Sequence, residues 1–154
     1  MKLNKRIKTQ KGSESRDLFK YLHKNLLSSK FYALNSDLEL VEKYPIPFIV
    51  ARLDFKLEGD TISFSEAIAY NQLAGMPEPY RIPVYIIEAK RPFVGADIEM
   101  HRFDVYEYEY ADWRPDPPRV KRKLLCQNMT WKELGLWENQ LRNIRRQLKK
   151  VVGR

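Results

Sequence analysis

The stretch IPVYIIEAKRPF, residues 82–93, closes an apolar run on Glu88, Ala89 and Lys90. In a strand, residues two apart share a face, so Glu88 and Lys90 project together beside Val84 and Ile86. A carboxylate and an ammonium at the end of a buried strand are costly unless they are paired or put to use. Asp54 poses a similar problem earlier, in FIVARLDFKL (48–57), where it shares a face with Arg52 and Lys56. If the two strands lie near each other, Asp54, Glu88 and Lys90 converge. Two carboxylates can hold Mg²⁺, which prefers oxygen ligands and keeps several waters, with Mn²⁺ as the alternative ion. Such an ion polarises a phosphodiester and acidifies a bound water. A lysine alongside can position that water or stabilise charge growing on the phosphoryl oxygens. The trio therefore has the parts of a metal-dependent phosphodiesterase.

The elements that must position these residues follow from periodicity. ESRDLFKYLHKNLLSS reads as a helix with Leu18, Phe19, Leu22, Leu26 and Leu27 on one face, and with Ser13 or Ser15 as its cap. LELVEK (38–43) reads as a strand. FIVARLDFKL is a stronger one, with Ile49, Ala51, Leu53, Phe55 and Leu57 on its apolar face. Glu58-Gly59-Asp60 supplies a turn, and the alternation in TISFSEAIAYNQ predicts a returning strand, so residues 48–72 read as a hairpin. In that hairpin Arg52 would face Glu66 as a cross-strand ion pair. Residues 73–81 read as a loop, and RIPVYIIEAKR as the next strand. FDVYEYEYADW (103–113) alternates as a strand carrying Tyr106, Tyr108 and Tyr110 on one face. A proline-rich turn leads to RVKRKLLCQ, an edge strand blunted by lysines. Thr130 and Glu133 form a capping box, after which Leu134, Trp137, Leu141, Ile144, Leu148 and Val151 recur as one helical stripe. The expected class is α+β, with a mainly antiparallel sheet of about five strands flanked by an N-terminal and a long C-terminal helix. Residues 1–12 read as a basic tail and 13–154 as a single domain.

Composition narrows the function further. The 154 residues carry a net charge of +8, and the excess lies at the two ends. Residues 1–11 hold five Lys/Arg and residues 140–154 hold six, neither with an acid, while the body between is mildly acidic. Lys5 and Arg6 in the tail, Arg142, Arg145, Arg146 and Lys149 on the last helix, and Arg52 on its strand are therefore the candidate contacts to a polyanion. One cysteine and two histidines argue against a disulfide framework, a multi-cysteine zinc site or a zinc deaminase. No apolar run is long enough to span a bilayer and no signal sequence is legible, so a cytoplasmic location without membrane partners is expected. The tyrosine row and Cys126 read most simply as packing, and His101, with Asp104 nearby, as polar surface.

Asp54 followed by Glu88-Ala89-Lys90 at the end of an apolar strand resembles the PD-(D/E)xK nuclease superfamily, the restriction-endonuclease-like enzymes. The resemblance covers about residues 48–92, lacks the proline before Asp54, and has 34 positions between Asp54 and Glu88. It implies that Asp54 and Glu88 bind the metal, that Lys90 serves the water or the transition state, and that Glu14 supplies a further acid from the first helix. The expectation is a Mg²⁺-dependent nuclease cleaving DNA rather than RNA, largely without sequence preference. The alternatives are a non-catalytic nucleic-acid-binding protein using the same basic ends, and an interaction module whose C-terminal helix docks a partner or a second copy as a homodimer.

Overall fold

The structure, a computed structural model, describes residues 11–23, 31–33, 39–43, 48–78 and 80–152. Helix α1 (Lys11–His23) is followed by strands β1 (Phe31–Ala33), β2 (Glu39–Glu42) and β3 (Phe48–Leu57), then helix α2 (Phe64–Gly75) and strand β4 (Val84–Ala89). A short 3₁₀ turn at Ile98–Met100 precedes β5 (Phe103–Asp112), β6 (Arg119–Met129) and helix α3 (Trp131–Val152). The six strands form one sheet in chain order, β1 to β6. Every neighbouring pair is antiparallel except β3 and β4, which run parallel. The class is therefore α+β with a mostly antiparallel sheet; β1 is the strand that periodicity left out.

The returning strand expected over residues 61–72 is a helix. Ser63 Oγ accepts from the Glu66 N–H at 3.1 Å while Glu66 Oε1 accepts from the Ser63 N–H at 2.8 Å, a reciprocal capping box that satisfies the first-turn donors of α2. Ala67 and Tyr70, three apart, then face the sheet. This correction alters the topology. Parallel neighbours need a crossover, and α2 provides it, so β4 lies directly beside β3 with no strand between. The Arg52–Glu66 pair of a hairpin does not form; Glu66 is bound by Lys56 instead.

Helices cover both faces of the sheet. On one, Phe19 of α1 and Leu134, Leu141 and the half-buried Trp131 and Trp137 of α3 pack on Leu53, Phe55, Tyr85, Ile87, Phe103 and Val105. Phe19 stacks on Phe55 with ring centroids 4.5 Å apart, and burying each such side chain contributes about 1.5–3 kcal/mol. On the other face, Ala67 and Tyr70 of α2 pack on Val84, Ile86 and Tyr108. Coverage on both sides explains why every residue of β4 is buried, Glu88 included.

Two expectations for the helices change. α1 is already formed at Lys11, so Ser13 and Ser15 lie within it, and His23 rather than Leu22 is buried. Leu26 and Leu27 fall outside the described residues. The capping box of α3 forms as read, with Thr130 and Glu133 exchanging bonds of 3.0 and 3.2 Å. Its apolar stripe holds through Leu141, but Ile144 and Leu148 are exposed. Glu138 and Arg145 turn inward instead, because each finds a partner: Glu138 binds the buried His23, and Arg145 binds Glu78 at 2.7 Å and the Arg81 carbonyl at 2.8 Å.

Candidate active site

Strand register decides whether the acids meet. In the parallel pair, Asp54 lies beside Ile86 and Lys56 beside Glu88. Arg52, Asp54 and Lys56 therefore share the α2 face with Val84, Ile86 and Glu88. Asp54 and Glu88 are diagonal neighbours, with Cα atoms about 8 Å apart by strand spacing. Asp104 of β5 pairs with Glu88 on the same face. Two acid-x-lysine triplets, Asp54-Phe55-Lys56 and Glu88-Ala89-Lys90, thus run side by side at the carboxyl ends of the two parallel strands.

Asp54 is the least satisfied member. It is 5% exposed, its Oδ1 lies 3.5 Å from Lys56 Nζ, and its Oδ2 has no hydrogen-bond partner. Burial raises its pKa from 3.8 to about 6, against the opposing pull of the Lys56 ammonium and of the nearby Tyr70 hydroxyl, and with a further push from Glu66. Lys56 bridges to both Glu66 oxygens at 3.1 and 3.2 Å. Burial works against the Glu66 charge, yet the Ser63 N–H and Lys56 together hold its pKa below the ordinary carboxylate value. The Tyr70 hydroxyl donates to Glu66 Oε2 at 3.4 Å; burial and the neighbouring Asp54 and Glu66 charges push its pKa upward and keep it a donor. Arg52 sits 5.5 Å from the Tyr70 ring centroid.

Glu88 is buried, and its Oε2 contacts an Arg122 nitrogen at 3.4 Å. Lys90 follows the end of β4 and turns to Asp104 at 2.8 Å and Glu58 at 3.6 Å. The Asp104 hydrogen bond is the main cause of its raised pKa. Asp104 also accepts the Asn128 N–H at 2.9 Å, where Asn128 adopts φ 55°, a conformation asparagine tolerates. Lys90 is thus anchored to Asp104, and Lys56 stands between Asp54 and Glu66, directly across from Glu88. Lys56 is the residue the sequence reading left out of the site, although the Asp54-x-Lys56 spacing repeats the acid-x-lysine pattern of the next strand. A cleft of about 240 Å³ opens beside Lys56, lined also by Asp60, Thr61, Ile62, Ile86, Val120 and Arg122; Asp54 and Glu88 are not among the residues that line it.

The remaining candidates lie elsewhere. Glu14 is exposed on α1, which packs on the opposite face of the sheet. Lys5 and Arg6 are outside the described residues. Arg142 binds the fully buried Glu42 through Nε at 2.5 Å and a terminal nitrogen at 3.0 Å, and Arg146 approaches the same carboxylate at 3.4 Å. Arg145 is buried against Glu78, and Lys149 sits 5.6 Å from the Phe48 ring centroid. Much of the basic character of α3 therefore ties the helix to the sheet and the 76–83 connection. His101 is buried rather than surface: Trp131 Nε1 donates to its Nδ1 at 3.1 Å, leaving Nε2 to donate to the Phe93 carbonyl at 2.9 Å. The Tyr108 hydroxyl donates to Asn71 Oδ1 at 2.6 Å, a structural role.

Among the described residues, no three His, Cys, Asp or Glu side chains group closely enough to share a metal ion. No helix among them is long and apolar enough to cross a membrane. No protein-family model, curated protein or solved structure matches the chain.

Proposed function

We propose that the protein is a metal-dependent nuclease hydrolysing phosphodiester bonds of nucleic acid, DNA before RNA, with Asp54 and Glu88 as metal ligands. The observation that carries this reading is the buried, unbonded Oδ2 of Asp54, on the same sheet face as Glu88 and with Lys56 alongside. An unpartnered carboxylate oxygen costs stability in that environment, and a divalent cation is the partner that such an oxygen fits. Two carboxylates suit Mg²⁺ or Mn²⁺, which complete their shells with water and phosphate oxygens. When bound, the ion would polarise the phosphodiester and acidify a water.

The chain's own groups take the other roles. Lys56, fixed by Glu66, places a positive charge where charge develops on the phosphoryl group. Glu66 and Tyr70 hold that lysine in position. Lys90, held by Asp104, contributes a second cation beyond Glu88. Burial raises the pKa of the metal-free Asp54 carboxyl to about 6, and the carboxyl must lose its proton to bind the ion, so metal affinity should weaken as pH falls through about 6.

The test is cleavage of plasmid, linear duplex and single-stranded DNA in Mg²⁺, Mn²⁺ or EDTA. Asp54→Asn, Glu88→Gln and Lys56→Met should each lower the rate by about 100-fold or more, and Lys90→Met by less. Wild-type cleavage that survives both Asp54→Asn and Glu88→Gln sinks the assignment. Salt-sensitive binding with no cleavage under any condition points instead to the non-catalytic binder.

A further inference from the structure

The outward side of α3 is uncharged over most of its length. From Leu134 to Lys149 the exposed residues are Leu136, Asn139, Gln140, Asn143, Ile144, Gln147 and Leu148. Leu136 and Ile144 are 56% and 58% exposed. The charged side chains of that stretch lie on the inner side of the helix or its flank, bound within the chain. Glu138 goes to His23, Arg142 and Arg146 to Glu42, Arg145 to Glu78, and Lys149 lies over the Phe48 ring. The solvated face of a helix is ordinarily its charged one, and about a quarter to a third of a soluble surface is charged. In a chain whose residues are 31% charged, an outer face of amides and aliphatics departs from that pattern.

Leu136, Gln140 and Ile144 recur every four residues, and Gln147 and Leu148 continue the line, so they form one stripe about 18 Å long. The stripe is symmetric about Gln140. Set antiparallel to itself across a two-fold axis there, Leu136 meets Ile144 of a second copy and Ile144 meets Leu136. The Gln140 amide, which both donates and accepts, meets its own counterpart. Charge selects the occupant. The stripe has nothing with which to steer an acidic or a basic partner, and Gln140, Asn143 and Gln147 interrupt the apolar surface that a lipid interface rewards. Two copies of a chain with a net charge of +8 repel each other, and a neutral face is where they approach with least repulsion. Antiparallel pairing also holds the two basic helix ends, each with Arg146 and Lys149, at opposite ends of the contact.

We propose that the outer face of α3 is a homodimer interface, two copies pairing antiparallel through Leu136, Gln140, Ile144 and Leu148. A strip one helix wide buries less than the about 1,200 Å² of a permanent interface, so the dimer is weak and reversible, with a dissociation constant on the order of 10–100 µM. The acid-x-lysine site lies on the α2 side of the sheet and α3 on the other, so pairing leaves that site open in both copies. The proposal is independent of the nuclease reading.

Sedimentation velocity of the full chain over about 5–500 µM, a range that brackets that constant, measures the association. The wild type is expected to pass from monomer to dimer. Its affinity should hold or rise between about 0.05 and 0.5 M salt, because screening removes like-charge repulsion. Leu136→Glu and Ile144→Lys should each weaken dimerisation at least about 10-fold, since each sets a charge against an aliphatic side chain twice per dimer. Both positions are exposed, so unfolding midpoints should stay at the wild-type value. An equimolar mixture of the two variants should associate more tightly than either alone, because antiparallel pairing sets the introduced acid beside the introduced base. Parallel pairing brings neither to the other. A wild type still monomeric at the highest concentration overturns the proposal, as do single variants that dimerise like wild type or a mixture that gains nothing. A monomer that floats with phosphatidylcholine vesicles, and loses that binding in Leu136→Glu, gives the face to lipid and overturns it as well.

Discussion

Replacing Asp54 by asparagine should stabilise the fold at neutral pH while removing the cleavage proposed above. The carboxyl titrates near 3.8 when the chain is unfolded and near 6 when folded. Below the lower value both states are protonated, and the neutral acid and the amide differ little. As pH rises from about 4 to about 6 the unfolded chain releases the Asp54 proton first, so this group's contribution to wild-type stability falls and then levels off. A shift of that size corresponds to roughly 3 kcal/mol. Asparagine forfeits the 3.5 Å contact with Lys56, which keeps Glu66 as partner, so a net gain of about 1–3 kcal/mol is expected above pH 7. Urea unfolding of both proteins at pH 4, 6 and 8 in EDTA measures it. A variant no more stable than wild type at pH 8, or a difference unchanged from pH 4 to 8, refutes the reasoning. Mg²⁺ at about 100 times its dissociation constant should then add about 2.7 kcal/mol to the wild type and little to the variant.

Other substitutions probe the scaffold. Glu42→Ala leaves Arg142 and Arg146 without their buried carboxylate and should cost about 3–5 kcal/mol in urea unfolding. Thr130→Ala removes the cap of α3 and should cost about 1 kcal/mol; the same change at Ser63 should cost a similar amount and loosen α2 over the site. Tyr108→Phe strands Asn71 Oδ1 with only the Ala111 N–H and should cost about 1 kcal/mol.

Local pattern was most legible where one signal acted alone. The bounds of β3 and β5 and the cap of α3 could be read from alternation and from Thr130-x-x-Glu133. The Ser63-x-x-Glu66 box carries the same signal, yet the short alternation around it reads equally as a strand, and a helix whose buried residues are only Ala67 and Tyr70 gives a faint stripe. Misreading α2 hid the parallel neighbourhood of β3 and β4. Once α2 is a crossover, the 34 positions between Asp54 and Glu88 are the length of a loop, a helix and a return, and the two strands touch.

By itself the sequence determined which side chains share a face: alternation alone puts Asp54 with Lys56 and Glu88 with Lys90, because successive strand residues point to opposite sides. It also set the basic ends of the chain as a matter of count. Only the tertiary structure decided which faces meet and which charges are free to act. Strand register, fixed by long-range hydrogen bonds, brought Lys56 opposite Glu88 and sent Lys90 to Asp104. Burial between two helical layers left Asp54 Oδ2 without a partner, and distant carboxylates at Glu42 and Glu78 drew Arg142 and Arg145 inward. Each of those outcomes depends on residues dozens of positions away, which periodicity along the chain does not record.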